Sequence, residues 1–303
     1  MKLVLHSPAG VLLRAAPVRR AARRLGALGF EVAIDEAALA KHQRFAGDDA
    51  TRLAALHRVA RARPDVALAT RGGYGLTRLL PAIDWRALGA SVDTGTRWVG
   101  QSDLTSLQLG LLAKRKGGVT WAGPLAADHF GRDDAEGGVD DVTSACFQEA
   151  MAGELEGIGF RTDRGDADLD GLSVRGTLWG GNLSVLLSLL GTPFWPQVER
   201  GILFLEDVNE HPYRIERGLL QLAQAGVLDR QRAVVLGAFT AWRPSPNDRG
   251  YGLRAMVARV RAATKTPVLQ GLPFGHVPTI VCLPVGATAR LMVDQRDAWL
   301  GWA

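Results

Sequence analysis

Ser102 stands between Trp98-Val-Gly100, an apolar run that ends on glycine, and Asp103–Lys114, where Leu104, Leu107, Leu111 and Leu112 fall at helical spacing. The stretch reads as a short strand over 96–100, a sharp turn at Gln101-Ser102 and an amphipathic helix over 103–114. A serine in such a turn is lifted out of the backbone ladder with its hydroxyl exposed. The first N–H groups of the following helix lie close by, ready to receive a developing negative charge. That is a nucleophile elbow suited to acyl transfer, although Leu104 occupies the place of the second glycine in the usual Gly-x-Ser-x-Gly. The same residues suit a helix N-cap, a role that Ser and Asp both favour. On the local pattern both readings stand.

A serine hydroxyl needs a base, and the base needs an orienting group. The chain has six histidines, at 6, 42, 57, 129, 211 and 276. His42 and His57 lie in polar helical contexts and read as surface. His6, near a strand end, reads as a buried and satisfied histidine, His129 as part of a surface loop, and His211 as the start of a helix. His276 alone sits in a Gly-rich turn, Gly271-Leu-Pro-Phe-Gly-His276, just past a strand. Glu206 closes the apolar run Ile202–Leu205 and is followed by Asp207. A carboxylate at the carboxyl end of a strand points into the crevice where such folds hold ligands. A salt bridge or helix N-terminal charge is the structural alternative, and Glu210 competes with Glu206. No His, Cys, Asp or Glu grouping has zinc spacing. Arg71-Gly-Gly-Tyr-Gly75 matches neither a phosphate loop nor a dinucleotide fingerprint. No metal or cofactor is expected.

The elements that must position these residues alternate. Strands are read at 3–6, 31–34, 64–70, 96–100 and 119–122, and helices at 18–28, 50–62, 76–80 and 103–114. This alternation predicts a mainly parallel sheet covered on both faces, with the site beyond the carboxyl ends of its strands. Three strands end in small or polar loops, at Pro8–Gly10, Arg71–Gly75 and Gly100–Asp103. Residues 131–170 are rich in Asp, Glu and Gly around one helix at 142–151, and read as a linker. That divides the chain into an α/β domain over 1–160 and a second, smaller α/β domain over 161–303. In the latter, Asn182 can cap a helix over 183–190, strands are read at 201–205 and 232–237, helices at 212–225 and 253–263, and the tail as short β structure.

The 303 residues give ample core, and 47% hydrophobic with 22% charged residues is ordinary for a globular protein. No apolar run approaches the roughly 18 residues that span a bilayer, and the N-terminus reads as a first strand rather than a signal segment. Cys146 and Cys282 read as reduced core residues, which points to the cytoplasm. Net charge is +5, and only five of the 36 basic residues are lysines. The densest clusters, Arg14–Arg24 and Arg52–Arg63, lack aromatic residues and read as solvated helix faces rather than a nucleic-acid surface.

Several blocks, in one order along nearly the whole chain, carry a resemblance. They are Arg71-Gly-Gly-Tyr-Gly-Leu-Thr-Arg-Leu-Leu80, Ile83-Asp-Trp85, Gly100-Gln-Ser-Asp-Leu-Thr105, Gly123-Pro124, Gly176-Thr-Leu-Trp-Gly-Gly-Asn-Leu183, Gly191-Thr-Pro193, Leu205-Glu-Asp-Val-Asn-Glu-His-Pro-Tyr213 and Gly275-His276. Together they resemble the LD-carboxypeptidase family, muramoyl-tetrapeptide carboxypeptidases of the serine type. The resemblance implies a class I glutamine amidotransferase-like N-terminal domain and a swivelling C-terminal α/β domain. It implies Ser102 as nucleophile, His276 as general base and Glu206 as its partner. The backbone N–H groups of Asp103 and of Gly72 or Gly73 would form the oxyanion hole. Arg71 would take the substrate carboxylate; Tyr74, Trp179 and Asn182 would be pocket walls, with core packing the alternative for Trp179. The family reaction removes D-Ala from the L,D-tetrapeptide of cytoplasmic murein turnover, free or sugar-linked, during peptidoglycan recycling, without a cofactor, and a homodimer is expected. Gln101 departs from the residue that family members often carry before the serine. The competing readings are a related peptidase that cleaves a peptidyl-nucleotide antibiotic and a non-catalytic two-domain ligand-binding protein.

Overall fold

The computed structural model describes residues 1–115 and 117–302. In chain order its regular elements are β1 (Lys2–His6), α1 (Ala16–Ala27), β2 (Glu31–Ile34), α2 (Asp49–Ala62), β3 (Val66–Ala69), α3 (Trp85–Asp93), β4 (Arg97–Gly100), α4 (Thr105–Lys114), β5 (Thr120–Ala122), α5 (Asp141–Ala152) and β6 (Gly157–Arg161). There follow β7 (Ser173–Asn182), α6 (Leu183–Leu189), β8 (Ile202–Val208), α7 (Pro212–Gln224), β9 (Ala233–Thr240), α8 (Leu253–Arg261), β10 (Val268–Gln270), β11 (Leu283–Val285), β12 (Thr288–Asp294) and β13 (Asp297–Trp302). Ala303, the end of the tail read as β structure, lies outside the described residues.

Strand β3 is buried at all four positions, as a strand covered on both faces must be. It lies inside a six-stranded sheet of order β11-β5-β4-β3-β1-β2. Every pairing in it is parallel except that of β11 with β5. This sheet belongs to one compact unit, Met1–Leu155 with Gly191–Pro196 and Pro278–Gly286. A second unit, Glu156–Leu190, Gln197–Val277 and Ala287 to the C-terminus, holds a seven-stranded sheet of order β10-β9-β8-β7-β12-β13-β6. Strands β10 to β7 run parallel there, and the rest of the sheet is antiparallel.

Several local expectations are corrected. Residues 76–80 form no α-helix but two 3-10 turns, Leu76–Arg78 and Leu80–Ala82, because Pro81 has no N–H to carry a ladder onward. Helix α3, capped by Asp84 through the Ala87 N–H, follows them unforeseen. Helix α4 is not amphipathic: Thr105 through Leu111 are all buried. Two of its buried polar side chains donate to backbone carbonyls, while Gln108 Oε1 has no hydrogen-bond partner among the described residues. Ser106 Oγ donates to Asp103 O at 2.7 Å, and Gln108 Nε2 to Trp121 O at 2.8 Å. The stretch read as a linker contributes β6, which pairs with β13. The arginines of α1 are solvated or half-buried as expected, but Arg52 of α2 is wholly buried. His129 sits buried in a π-helical turn over Ala126–Phe130 rather than in a surface loop.

Candidate active site

In the first unit, three strand-end loops converge around Ser102. β4 ends at Gly100, where φ is +156° and a Cβ would lie 2.7 Å from Leu104 Cδ2. Ser102 then adopts φ +62°, a left-handed conformation that costs an L-residue roughly 1–2 kcal/mol. A 3-10 turn over Ser102–Leu104 leads into α4. Neither Ser102 nor Asp103 caps this helical segment with its side chain, so the N-cap reading does not describe the turn. Gly72 passes directly over the serine: a Cβ there would sit 2.6 Å from Ser102 Oγ and 3.7 Å from the Asp103 nitrogen. The Gly10 N–H donates to Gly72 O at 3.1 Å, tying the β1 loop to the β3 loop.

Asp103 braces this arrangement from beneath. Its carboxylate is 3% exposed and accepts the Leu76 N–H at 2.7 Å. Burial pushes its pKa up to about 6, against the opposing pull of the Leu76 and Gly75 N–H groups and of Arg52 and Arg44. Arg52 completes the brace. Its Nη1 donates to Pro8 O at 2.9 Å, its Nη2 to Asp49, and its guanidinium lies 4.7 Å from the centre of the Phe45 ring. Gly75, with φ +155°, leaves room for it, since a Cβ would lie 2.6 Å from Nη1. Sequence reasoning passed Arg52 over as a solvated charge. The available signal was its place on the α2 face that also carries Ala55, Leu56 and Val59.

The other first-unit candidates are placed as follows. Arg71 is half-buried, and its Nη1 donates to Val11 O at 2.7 Å. Gly73 has φ +91°. Tyr74 is exposed, with its ring 5.9 Å from Phe45 and the Arg44 guanidinium 5.7 Å from its centre. His6 is buried as read from the sequence, but among the described residues its Nε2 has no hydrogen-bonding partner, and burial lowers its pKa to about 4.

In the second unit, Glu206 and His276 are joined. A register shift between Leu205 and Asp207 sets two residues of β9, Gly237 and Ala238, opposite Glu206, so the extra residue bulges β9 beside the carboxylate. Glu206 is fully buried, and its Oε2 lies 2.7 Å from His276 Nδ1. An Nδ1–H held by the carboxylate fixes the tautomer whose lone pair is on Nε2. The imidazole is about a quarter exposed, with side-chain accessibility of 24%. Asn182 donates through Nδ2 to Glu206 Oε1 at 3.1 Å and to Asp207 Oδ1 at 2.9 Å, and its Oδ1 caps α6 by accepting the Val185 N–H. Asp207 also accepts the Ser184 N–H and hydroxyl, which makes it a brace for Asn182. Glu210 pairs with Arg214 at 3.6 Å. Trp179 is 1% exposed and donates Nε1 to Gln231 Oε1 at 2.9 Å, so it packs in the core rather than lining a surface.

The turn that carries His276 is stitched to β9. Ala238 N–H donates to Phe274 O at 2.8 Å and Thr240 Oγ1 to His276 O at 3.3 Å. Gly275, at φ +139°, packs so closely that a Cβ would stand 3.2 Å from Glu206 Cβ and 3.1 Å from Ala238 O. Among the described residues no cluster of three or more His, Cys, Asp or Glu is arranged to hold a metal ion, and no helix is long and apolar enough to cross a membrane.

Comparison with known proteins adds to this picture. Residues 4–123 match the LD-carboxypeptidase N-terminal domain and residues 175–291 the LD-carboxypeptidase C-terminal domain. A putative carboxypeptidase of Streptomyces coelicolor is 36% identical over 84% of this chain and 79% of its own length. The murein tetrapeptide carboxypeptidase of Pseudomonas aeruginosa is 30% identical over 91% of this chain and 88% of its own. The crystal structure of a muramoyltetrapeptide carboxypeptidase from Oxalobacter formigenes superimposes with a TM-score of 0.89 at 36% identity, covering 100% of this chain and 99% of that one. The microcin C7 self-immunity protein of Escherichia coli is more distant, at 26% identity over 77% of this chain and 73% of its own. The two matching domains and these full-length likenesses show that the chain belongs to the LD-carboxypeptidase family.

Proposed function

We propose that this protein is a serine LD-carboxypeptidase that releases the terminal D-Ala from murein tetrapeptides. The observation that carries the reading is the buried Glu206 carboxylate 2.7 Å from His276 Nδ1; the left-handed turn at Ser102 supports it from the other unit. His276 Nε2 takes the Ser102 proton as Oγ attacks the carbonyl of the last peptide bond. Glu206 stabilises the imidazolium that forms. The N–H groups of Asp103 and of Gly72 or Gly73 hold the oxyanion, each such donor typically contributing roughly 3–4 kcal/mol. The imidazolium then protonates the leaving amine of D-Ala, and water, activated by the same base, hydrolyses the acyl-enzyme. Arg71 is the proposed cation for the terminal carboxylate, with Tyr74 and Asn182 beside the substrate.

The reaction belongs in cytoplasmic peptidoglycan recycling in this reading. The compartment rests on the family resemblance and on the sequence pattern that reads Cys146 and Cys282 as reduced core residues; both are buried, and Cys282 N–H donates to Cys146 Sγ at 3.2 Å. The homodimer rests on the family resemblance alone. Cleavage of a peptidyl-nucleotide antibiotic is the second reading; identity to the self-immunity protein is lower than to the murein enzymes. The test is D-Ala release from free murein tetrapeptide by wild type and by Ser102→Ala. The proposal expects release by the first and none by the second; equal release by both removes the nucleophile, and no release by wild type removes the substrate.

A further inference from the structure

The carboxyl ends of β8 and β9 lie on the same sheet edge that presents Glu206 and His276, and both exits are unusually braced. Asn209 leaves β8 at φ +62°, and Ala241 leaves β9 at φ +58°. The Asn209 N–H donates to Thr240 O at 2.9 Å, joining the two exits. Each exit then delivers aromatic rings. His211 and Tyr213 face one another at 4.6 Å between ring centres with 35° between planes. Trp242 meets His211 edge-on at 5.4 Å. Thr240, two residues before Trp242, is the residue whose hydroxyl donates to His276 O.

The cluster is locked by polar bonds beneath it. His211 Nδ1 accepts the Tyr213 N–H at 3.4 Å, which leaves Nε2–H to donate to Asp248 Oδ2 at 3.0 Å. Asp248 also accepts the Ser245 N–H at 2.6 Å, and Tyr251 OH donates to Glu216 Oε2 at 2.7 Å, fastening the 241–252 loop to α7. Yet Tyr213 remains 49% exposed and Trp242 half-buried. Left-handed non-glycine residues are a cost that a plain surface loop does not need to bear, and part-buried polar ties fix the loop further. They hold exposed rings still, which is what a ligand platform requires.

We propose that Tyr213 and Trp242, held in place by the largely buried His211, form a subsite beside His276 that takes the sugar ring of a sugar-linked murein tetrapeptide, an inference that rests on the LD-carboxypeptidase reading. Ring faces cover the apolar C–H face of a pyranose and remove it from water. Free tetrapeptide, which lacks the sugar, gains nothing from them.

The experiment measures kcat/KM for D-Ala release from free tetrapeptide and from its N-acetylmuramoyl-linked form, in wild type, Tyr213→Ala, Trp242→Ala and the ring-retaining Tyr213→Phe. The ratio of sugar-linked to free kcat/KM is expected to fall about tenfold in the two alanine variants, through KM, and to stay within twofold in Tyr213→Phe. Circular dichroism identifies any variant that fails to fold, and the Trp242→Phe ratio then replaces it. An unchanged ratio in the alanine variants overturns the subsite. A loss confined to an aminoacyl-nucleotide substrate overturns the sugar assignment. Failure of wild type to release D-Ala from either murein substrate overturns the underlying reading instead.

Discussion

Asp103→Asn replaces an ionisable group that folding buries with a neutral one of the same shape. The carboxyl has a usual pKa of 3.8 and is raised to about 6 in the folded protein, with burial as the main cause. Below pH 3.8 it is neutral folded or unfolded and costs nothing. Above pH 6 it is ionised in both states, and the folded state bears the full cost of an ionised buried group. Stability from this residue is therefore present at low pH and lost as pH rises through about 4 to 6. About two units at 1.36 kcal/mol each give about 3 kcal/mol. The group is only 3% exposed, so solvent screening discounts this little. His6 acts in the opposite sense: its pKa is lowered from 6.5 to about 4, and its contribution is lost as pH falls through that window. It is common to both proteins and cancels in their difference. Urea unfolding of wild type and Asp103→Asn at pH 4, 5, 6, 7 and 8 gives that difference directly. Asn still accepts the Leu76 N–H, so the variant is expected to gain about 3 kcal/mol on wild type between pH 4 and 8. A difference flat within about 0.5 kcal/mol, or a gain toward low pH, shows that the carboxyl is not held buried beneath the Ser102 turn.

Gly275→Ala forces a φ of +139° on an L-residue and pushes a methyl toward Glu206; a stability loss of about 1–3 kcal/mol and a 10- to 100-fold fall in kcat are expected from thermal melts and D-Ala release, and full kcat in a folded protein counts against the fit. Arg52→Met takes a wholly buried guanidinium away from Pro8 O and from Asp49, which is 41% exposed and keeps Arg78 at 2.8 Å; urea unfolding is expected to show a loss of about 1–3 kcal/mol, and a loss under about 0.5 kcal/mol shows that Arg52 is no brace. Glu206→Gln keeps an acceptor for Nδ1–H but removes the negative charge; kcat is expected to fall roughly 10²- to 10⁴-fold with KM within threefold.

Helices with a clean apolar stripe and strands with continuous apolar runs were legible in the sequence. Strand β2 and the helices around residues 16–27, 49–62 and 212–224 fall within about two residues of their reading. The misses have physical causes. α4 buries Thr105, Ser106 and Gln108, the last two donating to backbone carbonyls, so its sequence pattern mimics an amphipathic helix. β6 is five residues with two glycines amid acidic neighbours, and only its pairing with β13 makes it a strand. Among the candidates, Ser102, Glu206 and His276 stood out because each was read where a strand gives way to a turn, although Glu206 lies within β8, two residues before its end. The Glu206–His276 bond joins residues 70 apart, and the β9 bulge opposite Glu206 is marked by no local pattern. Arg52 and Asp103 were misjudged or half-seen for one reason: a buried charge looks like a surface charge until its partners are known.

The central claim is that Ser102 and His276 act as one proton-sharing unit, and a double-mutant cycle on D-Ala release tests it most directly. Residues that act as a unit are grossly non-additive. Ser102→Ala, His276→Ala and the double variant are expected to lose nearly the same factor in kcat/KM, at least about 10³. Losses that multiply in the double variant, or a His276→Ala enzyme with wild-type rate, contradict it.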